Sequence, residues 1–324
     1  MKKILFIAIL LSRSVCQGQE LSCFNLVQDM TIGSLMPYAK IGVGDCEGYF
    51  LLDFGTTGST IDTNAFGICK PRPLQGSVNR FPNFIFFGSW GAVSLNIQDH
   101  SNIQGLGQMK QAGIIGTDFL SNNIFLLDYV NAKIYRSDNP MSCNHDSLKI
   151  RGFRAASTKG YYSNKINNLN NSCTANIPTI PVKVGNIAAI AQVDAGYDDR
   201  LYRHSVNINL AFFNAIKENG ILLVENPAAN FTLSTCISNV QERVKAYKLP
   251  ANTSFSITGI DGEPIMIYGD VNIFLKETPE SARSCGGIGG WTIPAAQLGT
   301  SFLIDSRKVI FDPFGEKVWF LSHN

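Results

Sequence analysis

Apolar residues along this chain come in short runs, some alternating with polar positions and some unbroken, and Gly, Asn or Asp closes most of them. That rhythm predicts strands. Over residues 37–43, Tyr38, Lys40 and Gly42 alternate with Ala39, Ile41 and Val43, the signature of a strand with two unlike faces. Residues 48–53 are almost continuously apolar, as in a strand covered on both sides. Further strands are predicted over 83–87, 92–97, 124–129 and 132–135, with Asn131 as the turn residue between the last two. The later chain follows the same plan over 180–184, 188–193, 254–258, 264–268, 271–275, 308–311 and 317–321, with Gly315 at the turn. Two helices are predicted. Residues 207–219 place Ile208, Phe212, Phe213 and Ile216 on one side and stop at Gly220. Residues 238–247 space Val240, Val244 and Tyr247 in helical register before Pro250. The join between halves runs over 139–176. Its stretch 164–171 is an Asn-rich loop, and 147–156 can add a strand shared by both halves.

The pattern is a duplication. Asp53-Phe54-Gly55 and Asp194-Ala195-Gly196 each end an apolar run. Downstream, Gly116-Thr117-Asp118-Phe119-Leu120 matches Gly299-Thr300-Ser301-Phe302-Leu303 at a spacing of 183 residues. Residues 128–135 match 312–319 at a spacing of 184. The two Asp-x-Gly runs are only 141 residues apart, so the second half carries an insertion of about forty residues. Two related halves, each offering one carboxylate on a Gly turn, can bring two aspartates together at a pseudo-two-fold axis.

Bulk properties narrow the function. A chain of 324 residues accommodates two domains. The net charge of +2, with no basic run, argues against a nucleic-acid partner. Lys2-Lys3 followed by an apolar stretch over 4–11 reads as a signal peptide over residues 1–18, too short to span a bilayer. The expectation is an exported protein of the periplasm or extracellular space, with no stable membrane insertion. Export makes disulfides the default for the eight cysteines, and Cys46–Cys69 and Cys236–Cys285 are the expected pairs. His100, His145, His204 and His323 are scattered without metal spacing and are expected at the surface or in caps. Asp62, Asp118 and Asp128 read as turn or surface carboxylates. Asp53-Phe54-Gly55 also spells the kinase metal motif, but the other kinase elements are missing.

In these residues the chain resembles the aspartic peptidases, both the two-lobed pepsin-like enzymes and the single-lobed, dimeric retropepsins. The family pattern is Asp-Thr/Ser-Gly-Thr/Ser, then two apolar residues and Gly downstream. Asp53-Phe54-Gly55-Thr56 with Ile114-Ile115-Gly116 fits it, and Asp194-Ala195-Gly196 with Gln297-Leu298-Gly299 fits more loosely. Both halves together cover about residues 37–322, and 112–135 look most like a bacterial retropepsin-type lobe. The resemblance implies an all-β, two-lobed pepsin-like fold with minor helices, each lobe a closed or partly open β-barrel. The N-terminal lobe would cover 20–145 and the C-terminal lobe 146–322. It implies an endopeptidase that acts on polypeptides, as a monomer, without metal or cofactor. Asp53 and Asp194 would form the catalytic pair, supported by Gly55, Thr56, Gly196, Gly116 and Gly299. A hairpin over 84–95, with Phe87, Gly88 and Trp90 near its tip, would be the flap that closes over substrate. The same stretch also reads as an ordinary core hairpin.

The chemistry beneath that resemblance is simple. Two adjacent carboxylates cannot both ionise cheaply, so they share a proton: one activates water and the other polarises a carbonyl. The chain departs from the family where a Thr usually follows each Asp and braces the two lobes. Phe54 and Ala195 stand there and can donate nothing, so the brace is absent or replaced by packing of Phe54 on the other lobe. Tyr197 takes the place that matches Thr56, and Asp198 and Asp199 add negative charge near Asp194. The alternative is therefore a catalytically inactive, peptide- or partner-binding descendant of the same fold. A glycoside hydrolase also uses two carboxylates, but it gives no reason for the duplicated Gly turn.

Overall fold

Strands dominate, and they gather into three sheets. The computed structural model describes residues 23–24, 26–72, 80–101, 103, 110–137, 144–158 and 177–321. The expected signal segment over 1–18 and the Asn-rich stretch over 164–171 lie outside them. The first sheet has seven strands in the order Thr31–Gly33, Met36–Val43, Cys46–Leu52, Gln111–Ile115, Thr60–Ile61, Gly91–Ile97 and Arg80–Phe86. The second has ten. Its path runs Val224–Glu225, Gln241–Lys248, Asn272–Glu277, Ser205–Ile208, Ala295–Leu298, Ile187–Val193, Thr179–Val184, Phe255–Thr258 and Pro264–Tyr268, and Phe231–Ser234 also pairs with Gln241–Lys248. Both paths are open among the described residues, and neither sheet closes into a barrel.

The duplication read in the sequence is visible in the strand senses. In the first sheet, the path from Met36–Val43 to Arg80–Phe86 is antiparallel, parallel, antiparallel, parallel, antiparallel. The path from Thr179–Val184 to Gln241–Lys248 repeats those senses in the same order. In each half, the strand before the Asp-x-Gly turn runs parallel to the strand before the downstream Gly. Leu52 pairs with Ile115 in one half and Val193 with Leu298 in the other.

The third sheet joins the halves. Its six antiparallel strands run Leu26–Asp29, Lys133–Ser137, Ile124–Asp128, Lys308–Asp312, Lys317–Leu321 and Phe153–Ser157. The equivalent strands Ile124–Asp128 and Lys308–Asp312 meet at its centre, Phe125 opposite Phe311. Both are buried along their whole length apart from half-buried Lys308. Their continuous apolar runs are what a strand covered on both faces requires. The join segment supplies the edge strand Phe153–Ser157 after a short helix, His145–Ile150, capped by Asn144.

Helices are few and short, as the turn-rich sequence predicts. Leu210–Glu218 forms with the Asn209 side chain accepting from the Phe212 N–H, and it buries Phe212 and Ile216. The second predicted helix is absent. Gln241–Lys248 is a strand with alternating burial, because Glu242, Val244 and Ala246 face inward. Both expected disulfides form, Cys46–Cys69 and Cys236–Cys285. No helix of the described residues is long and apolar enough to cross a membrane.

Candidate active site

Each candidate aspartate stands where a buried strand breaks into a tight turn. The Asp53 N–H donates to Ile115 O at 2.9 Å, so its backbone still belongs to the ladder. Its carboxylate then folds back to accept from the Gly55 N–H at 2.7 Å. Asp194 does the same with the Gly196 N–H at 2.8 Å. Glycine is required at both turns for space. A Cβ on Gly55 would lie 2.2 Å from the Asp194 carboxyl carbon, and one on Gly196 would lie 2.6 Å from an Asp53 oxygen. Each turn thus forms a wall of the other carboxylate's niche. The two side chains, separated by 140 residues of chain, lie within hydrogen-bonding reach of each other.

Both carboxylates are largely shielded, each 8% exposed. Burial and the neighbouring Asp194 charge push the Asp53 carboxyl well above the usual carboxylate range, against the pull of the Gly55 and Gly196 N–H groups. Burial also raises Asp194. Hydrogen bonds from Gly196, Asp53 and Gln297 and the charge of Lys276 oppose that rise. One proton shared between two such groups is the arrangement that lets a water be activated on one side and a carbonyl be polarised on the other.

The downstream glycines lock the turns. A Cβ on Gly116 would come within 2.8 Å of the Gly58 backbone, and one on Gly299 within 2.3 Å of Asp199. The next residue in each half ties helix start to turn. Thr117 donates from N (2.9 Å) and from Oγ1 (3.1 Å) to Thr56 O. Thr300 donates from N (3.0 Å) and from Oγ1 (2.9 Å) to Tyr197 O. Thr56 therefore contributes its carbonyl. Asp53 accepts from the Gly55 and Gly196 N–H groups and shares its remaining hydrogen bond with Asp194.

A second tie is built twice with its partners exchanged. In the first half the Ser59 hydroxyl and N–H donate to Asp118 at 2.6 and 2.9 Å. In the second half the hydroxyl and N–H of Ser301 donate to Asp199. Ser301 occupies the place of Asp118, so acid and alcohol have traded sides. Asp118 and Asp199 are thus structural ties. Asp198 pairs with Arg200 at 3.3 Å. Burial, rather than these neighbours, is the chief reason the Asp194 carboxyl is raised.

Phe54 fills the place of the missing brace. It is fully buried and stacks on Phe311 of the second half, ring centroids 3.6 Å apart and planes 6° from parallel. Phe125 meets it edge-on at 6.5 Å. An apolar contact across the shared sheet therefore joins the halves here. Ala195 is equally buried and leaves only its carbonyl to accept from Thr300 Oγ1 at 3.2 Å.

The residues expected in the flap lie on a hairpin that is anchored by aromatic contacts. The hairpin Arg80–Phe86 and Gly91–Ile97 turns through Phe87, Gly88 and Trp90, and the Trp90 ring packs inward. Trp90 is 2% exposed and lies 4.7 Å from Phe87 and 6.2 Å from Phe125. Phe86 meets Phe119 at 4.7 Å. Gly88 sits at the turn with φ +73° and is exposed. Phe86 and Trp90 thus anchor the hairpin in the core, while Gly88 and Ser89 stay at the surface. One expectation needs correction. His100 is buried, within 3.1 Å of the Thr60 hydroxyl, while its N–H donates to buried Asp62. Asp128 is the turn carboxylate the sequence suggests, accepting from the Val130 and Asn131 N–H groups, and it is also buried against Lys308 at 2.7 Å.

Sequence reasoning missed a set of amides beside Asp194. The Gln297 side chain donates to Asp194 Oδ2. Asn207 Nδ2 donates to Gln297 Oε1 at 2.8 Å, and the Tyr197 hydroxyl donates to Asn207 Oδ1 at 3.1 Å. The available signal was Gln297 itself, a polar residue in the place where two apolar residues precede Gly in the first half. No group of side chains suited to hold a metal occurs among the described residues. No family model and no curated protein matches the chain.

Proposed function

We propose that this chain is an exported aspartic endopeptidase built as two pepsin-like lobes. The observation that carries the reading is the interlocked pair of Asp-x-Gly turns, in which each glycine leaves room for the other half's carboxylate. The repeated order of strand senses and the six-stranded sheet made from both halves support a two-lobed scaffold. Two disulfides fit an oxidising compartment.

The reaction follows from the shared proton. The ionised carboxylate takes a proton from a water molecule as its oxygen attacks the peptide carbonyl carbon. The protonated carboxyl gives its proton to the carbonyl oxygen, and a neutral diol forms. Collapse of the diol breaks the C–N bond, and a proton returns to the leaving amine. A denatured protein supplies the extended chain such a site needs. Cleavage of it by the wild type at acid pH and its loss in Asp53→Asn are expected. Full cleavage by Asp53→Asn would sink the mechanism.

A non-catalytic binding protein on the same scaffold is the second reading. It is favoured by Phe54 and Ala195, which replace the usual hydroxyl brace. Tight binding of a pepstatin-like inhibitor without turnover of any polypeptide would select it.

A further inference from the structure

The two carboxylates have different surroundings. Gln192, Gln297 and Asn207 are register partners on three adjacent strands, so their side chains stand in one row on one face of the second sheet. Asp194 lies two residues beyond Gln192. The positions that match in the first half are Leu51, Ile114 and Thr60, which are likewise register partners. Leu51 and Ile114 belong to an apolar cluster with Tyr38, and Thr60 is held by His100. One half therefore lines its turn with amides and the other with hydrocarbon.

The amides point one way. The Ser205 hydroxyl donates to Tyr202 O, and the Tyr197 hydroxyl donates to Asn207 Oδ1. Asn207 then has only its NH2 to offer Gln297, and Gln297 has only its NH2 to offer Asp194. A donor fixed in this way favours the charged form of the carboxylate it meets. Gln192 is 3% exposed, and its Nε2 has no hydrogen-bond partner, so the row keeps a further unused donor.

We propose that Gln297, oriented by Asn207 and Tyr197, is a positioning residue that assigns the negative charge of the pair to Asp194 and leaves the proton on Asp53. The catalytic use of that assignment rests on the hydrolytic reading. Asp194 is then the base that takes the proton of the attacking water, and Asp53 is the acid that protonates the carbonyl oxygen. The other charged or titratable groups near the pair are Lys276, which favours the Asp194 anion, Tyr38 and Asp198 on the Asp53 side, and Tyr197 with Asp199.

The test is a carboxyl-carbon NMR titration of the full chain with labelled aspartate, run beside the pH profile of cleavage. Asp53→Asn and Asp194→Asn identify the two signals. In the wild type Asp194 should ionise first. Gln297→Leu, which copies the first half, should raise the lower of the two transitions by about one to two pH units. It should move the acid limb of kcat/KM by the same amount and leave KM nearly unchanged. Asn207→Leu, which frees the Gln297 amide to rotate, should give a smaller shift in the same direction. Ionisation of Asp53 first in the wild type overturns the proposal with no variant needed. So does a Gln297→Leu protein that is folded and titrates unchanged. Cleavage with either of those results would leave the hydrolytic reading standing. The expected titration in a protein that cleaves nothing would support the charge assignment and remove the hydrolysis.

Discussion

The halves share a strand plan but differ in what lies beside each aspartate. Asp194 faces Gln297 and Asn207, whereas Asp53 stands beside Leu51 and Ile114. Phe54 reaches across to Phe311, while its equivalent Ala195 has no ring to offer. Ser59 and Asp118 exchange roles as Ser301 and Asp199. Backbone pairing carries the duplication, since the ladders depend on strand sense and register rather than on side-chain identity. Side chains on the turn-facing surface are free to diverge. A symmetric frame can then hold two chemically unequal acids.

The comparison can be broken most strongly at the acids themselves. Asp53→Asn should lower kcat/KM by about 10³-fold or more, read as cleavage of a denatured protein. The same variant has a second, structural signature. The Asp53 carboxyl is raised in the folded chain, so its contribution to stability is full below the unfolded carboxylate value of about 3.9 and is lost as pH rises through the folded value. Asparagine carries no such dependence. The melting temperature of Asp53→Asn should therefore exceed that of the wild type at neutral pH and lose this advantage in acid. A constant difference across pH would contradict the burial of Asp53 as a protonated acid.

Removing the one-sided aromatic contact is next in size. Phe54→Ala should cost about 3–5 kcal/mol in denaturant unfolding, because a fully buried ring stacked between halves cannot be refilled by its neighbours. Ala195→Gly, at the equivalent place, should cost about 1 kcal/mol. The shared sheet offers a smaller contrast. Asp128 is held by Lys308, whereas its equivalent Asp312 has His145 at 3.5 Å. Lys308→Met should cost about 2 kcal/mol, less than a wholly buried pair would, since the lysine side chain is 30% exposed. His145→Ala should cost less. Burial would raise the Asp128 carboxyl, but Lys308 and Asn131 outweigh it and hold it low. Its share of stability is present above the unfolded carboxylate value and lost as pH falls through the folded one, and Lys308→Met should blunt that acid loss. The smallest contrast lies in the disulfides. Loop lengths of 23 and 49 residues predict that removing Cys236–Cys285 costs about 0.7 kcal/mol more than removing Cys46–Cys69.

Much of this architecture is legible in the sequence because it depends on local signals. The runs before Asp53 and Asp194 and the matched segments around Gly116 and Gly299 are short-range patterns, and they fall where the sequence puts them. The strand Gln241–Lys248 was hidden because Val240, Val244 and Tyr247 sit at helical spacing, while its inward face includes charged Glu242, which pairs with Lys276 at 3.0 Å. The flap expectation followed chain order alone. Chain order does not show that Gly91–Ile97 runs beside Thr60–Ile61 or that Trp90 enters the aromatic core. The amide row could not be read at all without register, because Gln192, Asn207 and Gln297 become neighbours only when three strands align. His100 likewise looked isolated until Thr60 and Asp62 were brought to it.

The interleaving of the shared sheet has a consequence for timing. Ile124–Asp128 finds its central partner, Lys308–Asp312, only after some 180 further residues have been synthesised. Phe54 waits for Phe311, and Asp53 waits for Asp194. A nascent chain thus carries one acid without its mate until the late strands dock. Such an order of assembly makes the carboxyl pair a property of the finished chain alone.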